Sequence, residues 1–140
     1  MYKYYYRFRN VSVELFDRKE EFYSSGNSMD FDSNVAFNFR KEENLLRCKF
    51  TIIVSQSKEE ILKTVLVCDF EIKDESIKEA TQENGSIIFS KSLLIQLASL
   101  NYGTLRGVLV ERLRGSKMAS IILPPLYVES IIKDDYIFRE

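Results

Sequence analysis

Three successive segments between residues 34 and 72 alternate apolar with polar side chains, which restricts the chain to an antiparallel meander. In the first, Val35, Phe37 and Phe39 alternate with Asn34, Ala36, Asn38 and Arg40. After a polar turn at 41–44, Leu46, Cys48, Phe50, Ile52 and Val54 alternate with Arg47, Lys49 and Thr51. After a second turn at 56–59, Leu62, Thr64, Leu66, Cys68, Phe70 and Ile72 share a face. A period of two is the mark of a strand with one face on a core. Setting Val54 opposite Leu62 places Phe50 opposite Leu66 and Cys48 opposite Cys68, so the cysteines are core neighbours, read as buried and reduced. Upstream, Tyr2, Tyr4, Tyr6 and Phe8 give way to Val11, Val13 and Leu15. That change of parity predicts a bulge near Arg9-Asn10, because a one-residue slip turns side chains to the other face. Residues 17–32 are polar and read as a loop. The second sheet face carries Leu45, Ile53, Ile61, Val65 and Val67, so both faces call for cover, and self-association is expected.

Helical signals follow the strands. Residues 73–89 read as a polar loop with a short turn. A helix then starts near Ser90 or Ser92 and carries Leu93, Leu94, Leu97, Ala98 and Leu100. Gly103 and Thr104 offer a break, after which Leu105, Val108, Leu109 and Leu113 continue to Gly115. The apolar arc of this segment is about twice the usual ~100° stripe, again as if it touched more than its own sheet. Gly107 inside it costs about 1 kcal/mol relative to alanine; close packing on a neighbour and simple tolerance both account for it. Beyond Arg114-Gly115, Ile121-Ile122-Leu123 runs into Pro124-Pro125, which lack amide donors and force extended backbone before them. A short amphipathic helix is expected next. Strands first and helices after define an α+β fold: a four-stranded antiparallel sheet, a long helix that is continuous or broken near Gly103, an extended crossover and a short C-terminal helix.

At 140 residues the chain is read as one domain spanning 1–140. A net charge of −1 gives no global pull toward nucleic acid or anionic lipid. No apolar run approaches the ~18 residues that span a bilayer, and the amino terminus lacks a signal-peptide core, so a cytoplasmic protein with no membrane insertion is expected. The chain has no histidine, which removes the usual imidazole base and zinc ligand. No glycine-rich phosphate loop is present, and Asp134-Asp135 reads as solvated rather than as a cation site. The expectation is a non-enzyme with no catalytic residues, no metal and no cofactor. One alternative is single-stranded nucleic-acid binding by the first strand, where Lys3, Arg7 and Arg9 interleave with Tyr2, Tyr4, Tyr5, Tyr6 and Phe8. The short basic segment gives it a poor electrostatic footprint.

The order of elements and the tail together resemble the SecB-like protein-export chaperones. The residues that carry the resemblance are Arg114-Gly115, Leu123-Pro124-Pro125, the following Leu126-Tyr127-Val128-Glu129-Ser130-Ile131-Ile132, and Val65-Leu66-Val67-Cys68-Asp69-Phe70 in the last strand. The resemblance implies an ATP-independent holdase that binds non-native polypeptide in a hydrophobic groove, assembled as a homodimer or homotetramer. Leu123, Leu126, Tyr127, Ile131 and Ile132 are then the polypeptide-binding residues. Export preproteins or an antitoxin are the clients implied. The tail 132–140 does not match the segment with which typical members dock on the translocase motor, so that docking is not carried over.

Overall fold

The computed structural model describes residues 6–140. Its main sheet is built from β1 (Tyr6–Arg18), β2 (Asp30–Arg40), β3 (Leu45–Gln56) and β4 (Glu59–Ile72), all antiparallel, in the spatial order β1-β4-β3-β2. A short helix α1 (Asp74–Ala80) leads to β5 (Ile87–Phe89) and the long helix α2 (Lys91–Leu113). After the crossover a 3₁₀ turn covers Val128–Ser130, and the tail strand β6 (Tyr136–Phe138) pairs with β5.

The meander register is the one read from alternation: Val54 faces Leu62, Phe50 faces Leu66 and Cys48 faces Cys68. Two tight connections fix it. Asn44 takes the left-handed conformation at φ 54 in the first, and Ser57 and Lys58 both have positive φ in the second, as a type I′ hairpin requires. β1 does slip between Phe8 and Asn10, where the parity change put it. A second slip, between Val13 and Leu15, was not legible. It sends Leu15 to the outer face against Val65 and brings Phe16 inward against Thr64. The loop expected at 17–32 is shorter than read. β1 runs to Arg18, a 3₁₀ turn follows at Glu20–Phe22, and β2 begins at Asp30 because Phe31 supplies an inward apolar group opposite Val54.

The core lies between the inner sheet face and α2. Leu97, Leu105 and Leu113 are sealed against the strands, together with Phe50, Leu66 and Phe70. Ser90 caps the helix by accepting the Leu93 N–H at 3.2 Å, and Asp135 from the tail accepts the Lys91 N–H at 2.7 Å. Asp135 is exposed, as read from the sequence, and in addition serves the helix start. The helix is continuous through Gly103. By length and composition α2 is also long and apolar enough to cross a membrane, contrary to the reading of the apolar runs; here its leucine side is packed on the sheet. Gly103 and Gly107 lie on its exposed side, and among the described residues nothing beyond the helix's own nearby backbone comes within 4 Å of where a Cβ would stand.

The outer sheet face is more self-sufficient than its sequence suggested. Val65 and Val67 are buried within the single chain. The Lys49–Glu14 ion pair, 2.8 Å, runs from β3 to β1 and must pass over β4 between them. Beside it Arg47 grips the buried Asp69 with two bonds of 2.8 and 3.1 Å. Long aliphatic stems thus shield the valines while their charged heads stay paired.

Both thiols are free and fully buried. Burial, reinforced by the neighbouring Cys68, pushes Cys48 up to about 12, and burial beside Asp69 pushes Cys68 up to about 11. A thiol raised in the folded state and near 9 when unfolded adds stability that is intact below pH 9 and lost as the pH rises toward 11–12. The denaturant midpoint should therefore hold from pH 7 to 8.5 and fall steeply at pH 10–11. A Cys48→Ala/Cys68→Ala variant should show a shallower fall. An identical fall in both proteins would assign the alkaline loss to other groups.

Candidate functional site

The crossover is a strap of irregular backbone laid along α2. Tyr102 donates its hydroxyl to the Pro124 carbonyl at 2.5 Å, and Arg106 Nε donates to the Leu123 carbonyl at 3.1 Å. Residues 121–127 pair with no strand, and the prolines have no N–H to give, so these two α2 side chains satisfy the strap's acceptors there. At its start, Ser120 Oγ meets the hydroxyl of Tyr23 at 2.9 Å. Tyr23 sits over the β3–β4 end of the sheet, since its neighbour Ser24 donates its N–H to Gln56 Oε1. The C-terminal end of α2 lies toward β1 instead, where Arg112 stacks over Phe16 at 5.5 Å. The strap therefore starts over the β3–β4 end of the sheet, away from the Phe16 side.

Extended backbone alternates its side chains, and the strap does so. Ile121 and Leu123 are buried at 1% and 2% exposure, whereas Ile122 between them is 62% exposed. Of the five residues expected to bind polypeptide, Leu123 and Ile132 lie in the core, Leu126 and Ile131 are half-buried against it, and Tyr127 stands out at 76% exposure. The outward apolar surface of the strap is thus Ile122, Leu126 and Tyr127. Ile122 was missed: extended backbone implies that one parity of Ile121-Ile122-Leu123 faces out, but three apolar residues in a row do not say which. The amphipathic helix expected after the prolines is only the 3₁₀ turn, whose Val128 anchors it to the core. Burial raises the Tyr102 hydroxyl above its usual range, so it stays protonated and a donor to the strap further into alkaline pH.

The aromatic and basic residues of β1 do not form one surface. Tyr6 and Phe8 pack on Phe70 on the inner face, with ring centroids 5.8 and 4.7 Å away. Arg7 and Arg9 turn to the other side and share the Glu71 carboxylate at 2.9 and 2.6 Å, which holds Glu71 below the usual carboxylate range. Among the described residues, the cations of this strand thus lie on the face opposite the rings and are drawn to Glu71. The remaining members of that pattern, Tyr2 to Tyr5, lie outside the described residues.

The sequence matches no protein-family model and no curated protein. Among solved structures, the fold is similar to a SecB-like chaperone of Mycobacterium tuberculosis, solved in complex with a ChAD peptide from the HigA1 antitoxin. The two superpose with a TM-score of 0.53 at 9% identity, over 87% of this chain and 91% of that one. A protein of unknown function from Streptococcus agalactiae is a weaker likeness, with a TM-score of 0.41 at 10% identity over 89% of this chain and 98% of that one. The architecture is thus a SecB-like α+β fold.

Proposed function

We propose that the protein is an ATP-independent holdase that retains non-native polypeptide on the apolar surface beside its crossover. The observation that carries this reading is the exposure of Ile122 and Tyr127 on a strap whose backbone is already fixed by Tyr102, Arg106 and the two prolines. A surface held in place beforehand loses little ordering entropy on binding. Tyr127 offers a rigid face with a polar tip, suited to being alternately wet and covered. Burial of client side chains there supplies about 25 cal/mol per Å² of apolar area, with no need of a nucleotide, metal or catalytic group. The fold it shares with a chaperone solved with an antitoxin peptide supports polypeptide clients, among which an antitoxin and an export preprotein are the two classes considered.

A cytoplasmic homodimer or homotetramer belongs to the same proposal. Leu100 and Val110 are 37% and 47% exposed on the outward side of α2, beside the bare Gly103 and Gly107. An apolar helix face of this kind is commonly covered by a partner. The test uses the purified full chain with a chemically unfolded client whose aggregation is followed by light scattering. The wild type should suppress aggregation at stoichiometric amounts without ATP. Leu126→Ser/Tyr127→Ser should lose most of that suppression with circular dichroism and oligomer mass unchanged. Loss of mass or fold together with suppression would make the pair structural. A wild-type mass of 16.4 kDa at micromolar concentration would remove the oligomer.

A further inference from the structure

We infer that Asn84-Gly85 is a self-modification site. The Gly85 backbone nitrogen attacks the Asn84 side-chain amide and leaves aspartyl or isoaspartyl in its place, and the isoaspartyl form loosens the clasp between β5 and β6. The inference goes beyond the holdase reading and does not depend on it. It starts from the hairpin loop that leads into β5. The Gln82 N–H donates to the Ser86 carbonyl at 2.8 Å and the Gly85 N–H to the Gln82 carbonyl at 2.9 Å, which closes a tight loop over 83–85. Gly85 supplies the positive φ of 88 that such a loop needs. It has no side chain, and among the described residues no atom beyond its chain neighbours comes within 4 Å of where a Cβ would stand, so its nitrogen is unshielded. Asn84 Oδ1 accepts two hydrogen bonds, from the Ser86 N–H at 2.9 Å and the Ser86 hydroxyl at 2.7 Å. Donors at that range stabilise an oxyanion, and Oδ1 is where charge gathers when a nucleophile adds to the amide carbon.

The step balances with water alone. The Gly85 nitrogen gives its proton to solvent as its bond to Asn84 Cγ forms. The Cγ–Nδ2 bond then breaks, and the nitrogen takes a proton from solvent and leaves as ammonia. Water opens the resulting cyclic imide at either carbonyl: attack at Cγ gives aspartyl, and attack at the backbone carbonyl gives isoaspartyl, whose main chain runs through Cγ. Asn84 and Gly85 are both exposed, so water reaches them. The two products meet the fold differently. In the aspartyl form one carboxylate oxygen keeps the Ser86 donors. The other replaces Nδ2 beside a cavity of about 360 Å³ that Asn84 shares with Lys41, Arg139 and Glu140. Lys41 pairs there with Glu140, and Arg139 is in no ion pair among the described residues, so the new charge has a cation at hand. The isoaspartyl form adds a carbon to the main chain of a closed loop, and the 82–86 bonds cannot all survive it. Ile87, the next residue, pairs with both Thr81 and Phe138, so the loosening reaches the tail strand at once.

The experiment ages the purified full chain at neutral pH and reads residue 84 by peptide mapping with mass spectrometry, beside a synthetic peptide of residues 78–90. The folded chain should convert at least as fast as the peptide. Ser86→Ala should slow the folded chain by about three- to tenfold, the loss of one donor to the developing charge, and leave the peptide rate unchanged. Slower conversion in the folded chain than in the peptide would mean that the Gly85 bond to Gln82 guards the nitrogen, and it overturns the proposal. A Ser86→Ala chain that converts as fast as wild type overturns it too. The isoaspartyl form, separated by ion exchange, is then compared with fresh wild type and fresh Asn84→Asp by hydrogen exchange of the amides at 136–138. The isoaspartyl form should exchange about tenfold faster, as a locally opened pair does, and Asn84→Asp at the wild-type rate. Equal exchange in all three rejects the loosened clasp. Asn84→Gln should age without conversion and with constant exchange. If its β6 amides speed up as much as those of wild type, the change arises at another residue and the proposal falls.

Discussion

Asn101→Asp is expected to cost about 3–5 kcal/mol at neutral pH, a large part of the roughly 5–15 kcal/mol that keeps a domain folded. Asn101 is fully buried between α2 and the two central strands. Its Nδ2 donates to the Cys48 and Leu66 carbonyls, while its Oδ1 has no partner among the described residues. Aspartate would exchange the donating amide for a second oxygen facing two carbonyl oxygens beside the Cys48 thiol. The carboxylate would respond by taking up a proton, its folded pKa lying well above the unfolded value. The penalty should thus grow as the pH rises above the unfolded aspartate value of about 4 and shrink as the pH falls back toward it. Asn101→Leu provides the contrast. It removes an acceptor that already lacks a donor, and the two carbonyls keep their ladder partners, so a change within about 1 kcal/mol is expected. Urea midpoints of the three proteins at pH 5 and pH 7.5 measure this. Equal losses for aspartate and leucine would mean that shape, not charge, decides the site.

The meander was legible because two short hairpins leave one register that keeps every large apolar residue on one face. Cys48 opposite Cys68 followed from that counting alone. The second bulge of β1 was not legible, since Leu15 and Phe16 are both apolar and either could have faced inward. The tail was misread for a different reason. Tyr136, Ile137 and Phe138 gain their place from Phe39 and from β5, partners about 50 to 100 residues away, and a three-residue strand carries no periodicity of its own. In the strap the prolines announced extended backbone, but alternation alone does not say which parity faces the helix. That is decided by Tyr102 and Arg106, whose bonds to main-chain oxygens depend on the path and leave no local pattern.

The division of the strap into buried and exposed residues can be measured directly. Leu123→Ala should destabilise the fold by about 2–5 kcal/mol, because a side chain with 2% exposure leaves a cavity that its neighbours fill only in part. Tyr127→Ala, at 76% exposure, should stay within about 0.5 kcal/mol of wild type. Activity should divide in the opposite sense. Well below its own unfolding transition, Leu123→Ala should retain its client on a strap still latched by α2, because backbone carbonyls accept those bonds and the substitution leaves them in place. Tyr127→Ala should bind client more weakly by about tenfold, the loss expected when a large aromatic contact is truncated. Urea titration and client titration on the same two preparations separate these effects. If Leu123→Ala loses client binding while still folded, the inner face of the strap opens during binding, and the client reaches residues that are sealed in the resting structure. If Tyr127→Ala binds client as tightly as wild type, the exposed row of the strap is not the contact surface, and the holdase reading loses its site.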